Sequence, residues 1–130
     1  MAKFLGQHFL TNKNKLKKIV EALELENGDV IIEIGPGHGE LTLELRIKNA
    51  ELRIIAIEKD KELVKNLELR IKNLGIKNIK VIQGDALKIL PKLISGRLTS
   101  LRTSDVPKFN YKIVGNIPYY ITGYLFRILG

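Results

Sequence analysis

Four short stretches of this 130-residue chain combine residue types that could act on one ligand. In Glu33-Ile34-Gly35-Pro36-Gly37-His38-Gly39, glycines alternate directly after an apolar run. Such a backbone can turn sharply and approach a ligand with no side chain in between. A dinucleotide fingerprint would need its third glycine at the position of Glu40, and no Gly-Lys-Ser/Thr follows, so neither that pattern nor a P-loop is present. For the glycines alone, an ordinary strand-to-helix turn is a serious competing reading. Glu58 ends the next apolar run, where a carboxylate can accept hydrogen bonds from both ribose hydroxyls of a nucleoside. Its alternative role is an exposed charge ahead of a helix, competing with Asp60 for capping. Asp85, in Gly84-Asp85-Ala86-Leu87, can accept from an adenine amino group or simply cap a helix. Together the turn and the two acids form an adenosine-shaped set of contacts. The fourth stretch is Gly115-Asn116-Ile117-Pro118-Tyr119-Tyr120. The Asn116 side-chain carbonyl and the backbone carbonyl before Pro118 can both accept from a planar amine. Two such acceptors favour a pyramidal nitrogen, whose lone pair can then attack a methyl cation equivalent. Tyr119 offers a ring against which an extruded base can stack. Alone, the segment also fits a proline turn beside a core tyrosine.

The elements that must hold these residues alternate along the chain. Leu16, Ile19, Val20 and Leu23 recur at helical spacing within 12–26, with Thr11 or Asn12 as N-cap. Val30-Ile31-Ile32-Glu33-Ile34 reads as a buried strand, and 40–48 as a helix with Leu41, Leu45 and Lys48 on one face. A second strand covers 52–57. Asp60 is placed to cap a helix carrying Leu63, Leu67, Ile71 and Leu74, which Gly75 closes. A third strand at 79–82, a helix at 86–93, an irregular polar loop at 95–108, a fourth strand at 111–114 and a helix from Tyr120 complete the series. Alternation of this kind predicts an α/β fold: a doubly wound, mainly parallel sheet in the order 3-2-1-4. Ligands bind such sheets beyond the carboxyl ends of the strands, where all four stretches fall. Ending at Gly130, the chain would leave the fourth strand as an open edge, an aggregation hazard that suggests a truncated form of a longer protein.

The chain has length for one domain with a real core, at 45% hydrophobic and 28% charged residues. It lacks a membrane-spanning apolar run and a signal-peptide pattern. With no cysteine, it has no disulfide, zinc-thiolate site or thiol nucleophile. No His/Asp/Glu cluster suggests a metal. Charge is uneven: residues 1–69 hold eleven Lys/Arg against twelve Asp/Glu, while 70–130 hold eleven against Asp85 and Asp105 alone. That asymmetry fits a polyanionic partner or a solvated basic surface.

The pattern Glu33-x-Gly35-x-Gly37-x-Gly39 resembles the first motif of S-adenosylmethionine-dependent methyltransferases of Rossmann-like type. With Phe4-Leu5-Gly6-Gln7-His8-Phe9-Leu10, Ile57-Glu58-Lys59-Asp60, Gly84-Asp85-Ala86 and Asn116-Ile117-Pro118-Tyr119-Tyr120-Ile121-Thr122, the chain resembles the N-terminal catalytic part of the ribosomal RNA adenine N6,N6-dimethyltransferase family. The resemblance implies one S-adenosylmethionine-binding domain over 1–130, truncated after the fourth strand and without the remaining strands and helical RNA-binding domain. It implies that Gln7, His8 and Leu10 close over the cofactor, that Gly35 lies under its methionine portion, that Glu58 holds its ribose, and that Gly37 and Lys59 also belong to the cofactor site. Asp85 and Ala86 would read its adenine. Asn116 would bridge the reactive amine and the methyl donor, with Pro118 and Tyr119 completing the catalytic segment. His8 departs from the family's usual Asn, yet can still donate or accept a hydrogen bond. The implied activity is N6-dimethylation of adenine in small-subunit ribosomal RNA, within an immature small ribosomal subunit, by a cytoplasmic monomer needing neither metal nor membrane. Methylation of DNA adenine or protein glutamine is the alternative chemistry; a non-catalytic RNA-binding or ribosome-assembly factor is the alternative without chemistry.

Overall fold

The computed structural model describes residues 3–6, 13–48, 51–94 and 111–115. Five parallel strands, β1 (Lys3–Gly6), β2 (Val30–Ile34), β3 (Arg53–Glu58), β4 (Ile79–Gln83) and β5 (Tyr111–Gly115), form one sheet in the order β1-β5-β2-β3-β4. The 3-2-1-4 order expected from sequence is the run β4-β3-β2-β5 within it. The expected open edge at the fourth strand is corrected by β1, which pairs with β5 from Lys3↔Lys112 to Gly6↔Gly115. Four residues are too few to carry a periodic signal of their own; β1 exists because β5 supplies its ladder.

Four helices fill the crossovers: α1 (Lys13–Leu23), α2 (Glu40–Lys48), α3 (Lys61–Asn73) and α4 (Ala86–Ile94). Side chains of α1, α2 and α3 share one core with Ile31, Ile54 and Val114; Leu90 and Leu93 of α4 share the other with Ile32, Ile55, Ile57 and Ile113. Alternate strand residues thus point to opposite covered faces, which explains why β2 is buried along its whole length. The helices on one face accompany the steps from β1 to β2 to β3 to β4. The one on the other face accompanies the return to β5, as right-handed crossovers require.

Asp60 caps α3 as anticipated, its Oδ1 accepting from the Glu62 and Leu63 N–H groups at 2.9 and 3.3 Å. The inward stripe of α3 is Val64, Leu67 and Ile71, whereas Leu74, expected on that stripe, is the C-cap and 54% exposed. The last turn has already left the sheet there, ahead of Gly75 (φ 67°). The expected N-cap at Thr11 or Asn12, the loop at 95–108 and the helix from Tyr120 lie outside the described residues.

Candidate active site at the carboxyl ends of the strands

Three strands are stitched together just past their ends. The Gly35 N–H donates to Ile57 O (2.8 Å) and the Gly84 N–H to Glu58 O (2.9 Å), carrying the ladder from β2 through β3 to the turn after β4. The glycine turn starts from this base. Gly35, Gly37 and Gly39 have φ of 68°, 59° and 90°. At Gly37 that conformation aims the N–H at the Glu58 carboxylate, and a Cβ there would meet no described atom within 4 Å. The turn therefore presents backbone to open space. Only glycine adopts this φ without strain.

Glu58 is 7% exposed. Its Oε1 accepts from the Gly37 N–H at 3.1 Å and its Oε2 from the Asp60 N–H at 2.8 Å. The alternative of an exposed Glu58 competing with Asp60 for the cap of α3 is thereby answered: Asp60 does the capping, while the buried Glu58 ties β3 to the glycine turn. A carboxylate has about four acceptor positions, so two backbone donors leave capacity for a ligand's hydroxyls. Asp85 is half-buried and does cap its helix, Oδ1 accepting from the Leu87 N–H at 3.0 Å. Lys59 is exposed and Ala86 half-buried, each following an acid at a strand end.

Gly115 closes β5 opposite Ile34, and a Cβ on it would collide with the Ile34 carbonyl oxygen. The absence of a side chain lets β5 run against β2 up to the residue before Asn116. Gly6 and Gly115 are partners in register, so the chain enters Gln7 and Asn116 from adjacent parallel strands. Gln7, His8, Leu10, Asn116, Pro118 and Tyr119 themselves lie outside the described residues.

Two residues beneath the turn escaped the sequence reading as individual participants. Glu33 is 1% exposed, one residue before the carboxyl end of β2, and accepts a hydrogen bond from Thr42 Oγ1 at 2.5 Å. Burial pushes its carboxyl up to about 7, opposed by the Thr42 hydrogen bond and reinforced by the nearby Glu40 and Glu58 charges. Its signal was an acid inside an otherwise apolar five-residue strand. Arg70 of α3 donates from Nη1 to His38 O at 2.6 Å, holding the far side of the turn. No local pattern reveals that contact, because its partners are 32 residues apart. Among the described residues, no group of three His, Cys, Asp or Glu side chains could hold a metal ion, and no helix is long and apolar enough to cross a membrane.

A family model described as "Ribosomal RNA adenine dimethylase" matches residues 1–129. The chain belongs to that family. It is 43% identical over 125 residues to "Ribosomal RNA small subunit methyltransferase A" of Dehalococcoides mccartyi, covering 96% of this chain. It spans 38% of that relative's length. A dimethyladenosine transferase from Plasmodium falciparum superposes with a TM-score of 0.70 at 30% identity, over 94% of this chain and 38% of that one. An RNA methyltransferase from Salinibacter ruber, solved with S-adenosyl-L-homocysteine, superposes with a TM-score of 0.52 at 26% identity, over 58% of this chain and 49% of that one. The order of motifs read from the sequence and the family match thus agree.

Proposed function

We propose that this chain forms the cofactor-binding part of an enzyme that dimethylates adenine N6 in small-subunit ribosomal RNA, using S-adenosylmethionine. The observation that carries the reading is the buried Glu58 carboxylate locked onto the glycine turn, beside the strand that leads directly into Asn116-Ile117-Pro118-Tyr119. These residues suit an adenosine-containing group: open space over Gly37, acceptor capacity on Glu58 for two ribose hydroxyls, and Asp85 at the neighbouring strand end. Lys59 and Ala86 flank those two acids, and Gln7, His8 and Leu10 supply the cover. When bound, S-adenosylmethionine supplies an electrophilic methyl group.

The chain's own contribution is to bind, aim and exclude. Glu58 orients the ribose, and the glycine turn lets the backbone approach closely. The Asn116 carbonyl and the one before Pro118 accept from the adenine amino group and aim its lone pair. Tyr119 stacks on the extruded base. Because the amine loses its proton after attack, no residue has to act as a base first. Repetition on the singly methylated amine requires cofactor exchange, which favours a cover that opens. The RNA is that of the small ribosomal subunit before its completion, and the corresponding setting is the cytoplasm, with a monomer acting without metal or membrane. The deciding experiment is transfer of labelled methyl groups to unmodified small ribosomal subunits by the full-length protein, followed by nucleoside analysis. Dimethyladenosine is expected, and Asn116→Ala should lower transfer at least about 100-fold, the scale of losing one transition-state hydrogen-bonding group. S-adenosylmethionine affinity should stay within threefold. Methylated DNA or glutamine, or no methyl transfer from a cofactor-loaded protein, would overturn the reading.

A further inference from the structure

The opposite end of the sheet carries a second feature that cofactor binding does not use. Between the amino ends of β3 and β4 lies a groove of about 310 Å³, lined by Arg53, Ile54, Ile55, Lys77, Asn78 and Lys80. Its three charged residues are all cationic and all exposed. An adjoining hollow shares Lys80 and adds Lys72, with Glu68 as its acid. From Arg70 to Ile94 the chain holds six Lys/Arg and one acid, Asp85, which sits at the other end of β4.

The groove rests on a fixed backbone. The Asn78 side chain donates to Leu52 O, and the Ile54 N–H donates to Asn78 O at 2.9 Å. These bonds hold the segment bearing Lys77 against the start of β3, where Arg53 stands. A cation on a fixed backbone loses less freedom when it meets a phosphate than one on a loose loop. Protection of an exposed sheet edge explains a lysine on β4 itself, hence Lys80. It does not explain Arg53 on β3 or Lys77 on the connecting turn, which face the same groove.

We propose that this groove is a contact for the sugar-phosphate backbone of structured RNA, gripping the substrate well away from the methylated base. The inference rests on the RNA-directed reading above and adds a location to it. From Arg53 to Glu58 the strand rises roughly 16 Å at about 3.3 Å per residue, so groove and cofactor site touch different parts of one folded RNA. Contacts of this kind set affinity and orientation, not base choice.

The test compares the full-length protein with Lys77→Gln and with Arg53→Gln/Lys77→Gln/Lys80→Gln, titrated with unmodified small-subunit ribosomal RNA over a series of salt concentrations. Each lost phosphate contact should flatten the slope of log affinity against log salt by about 0.7 to 0.9, so the single variant loses roughly one and the triple variant two to three. The KM for RNA should rise while that for S-adenosylmethionine holds, and Lys77→Arg should retain the parent slope. An unchanged slope and KM in the triple variant, with methyl transfer to RNA intact, would remove the groove while leaving the proposed function standing. A flattened slope in a protein that methylates no RNA would remove the proposed function while leaving the groove. Loss of binding to anionic phospholipid vesicles with RNA binding unchanged would overturn the groove's assignment.

Discussion

The two ends of the same sheet treat charge in opposite ways. At the carboxyl ends, Glu33, Glu58 and Asp85 are buried or half-buried, and their oxygens accept from Thr42, Gly37, Asp60 and Leu87. At the amino ends, Arg53, Lys77 and Lys80 stand exposed around a groove. Lys112, at the same end, is half-buried and donates to Asp29 Oδ2 at 2.8 Å and Glu24 O at 2.6 Å. A buried acid with defined donors fixes geometry, and its interactions are little screened by salt. An exposed cation acts through a field that salt weakens. The difference assigns precision to one end and reach to the other. Substitutions should therefore separate cleanly by their salt and pH signatures.

Glu33 should give the largest effect. Its carboxyl is raised from an ordinary value of 4.5 to about 7. Between those values the unfolded chain has released the proton while the folded chain keeps it, so the folded state binds more protons and stability falls as pH rises. The loss is complete above pH 7 and amounts to about 3 kcal/mol. Glu33→Gln keeps an acceptor for Thr42 and removes the titration. Its melting temperature should vary little from pH 4.5 to 7, and above pH 7 it should exceed that of the parent. A parent-like decline across that window would show that Glu33 carries no such cost. Groove variants should leave this pH profile unchanged.

Glu58→Ala comes next. Hydrogen bonds to a charged acceptor contribute about 1.5 to 3 kcal/mol, so S-adenosylmethionine should bind roughly 10- to 100-fold more weakly in calorimetry. The salt dependence of RNA binding should not move. Unchanged cofactor affinity would remove Glu58 from the ribose contact, and a flattened RNA salt slope would erase the distinction between the two ends.

What could be read in advance followed the range of the interaction involved. Asp60 capping α3 was legible because the acceptor and its donors lie within three residues. The central strand order was legible because alternation and handedness leave few topologies. β1 was not, because its strand character comes from pairing with a segment more than a hundred residues away. Glu58 was legible as a strand-end acid, but its bond to Gly37 depends on how β3 packs against β2. Glu33 was visible as a letter in a glycine motif, while its raised proton affinity arises from burial that no spacing encodes. For Leu63 and Leu74 periodicity misled slightly: Val64 took the buried place, because the helix axis is set by the sheet beneath it and not by apolar count.

Arg70 gives the smallest effect and the sharpest challenge to the contrast, since it is an exposed cation at the precise end. Its guanidinium holds the His38 carbonyl at 2.6 Å, while Glu58 holds the N–H of the preceding residue, Gly37, in the same turn. Between them they clamp the turn: an anion on its donor and a cation on its acceptor. If Arg70 acts through geometry, Arg70→Ala should loosen the turn and weaken S-adenosylmethionine binding by roughly fivefold, about 1 kcal/mol after allowing for solvent exposure of the bond. Arg70→Lys should recover part of that, since an ammonium can donate to the same carbonyl without the planar fork. The RNA salt slope should stay at the parent value in both variants. Should Arg70→Ala instead flatten that slope and spare the cofactor, Arg70 would belong with Arg53, Lys77 and Lys80, and the basic surface would reach from one end of the sheet to the other.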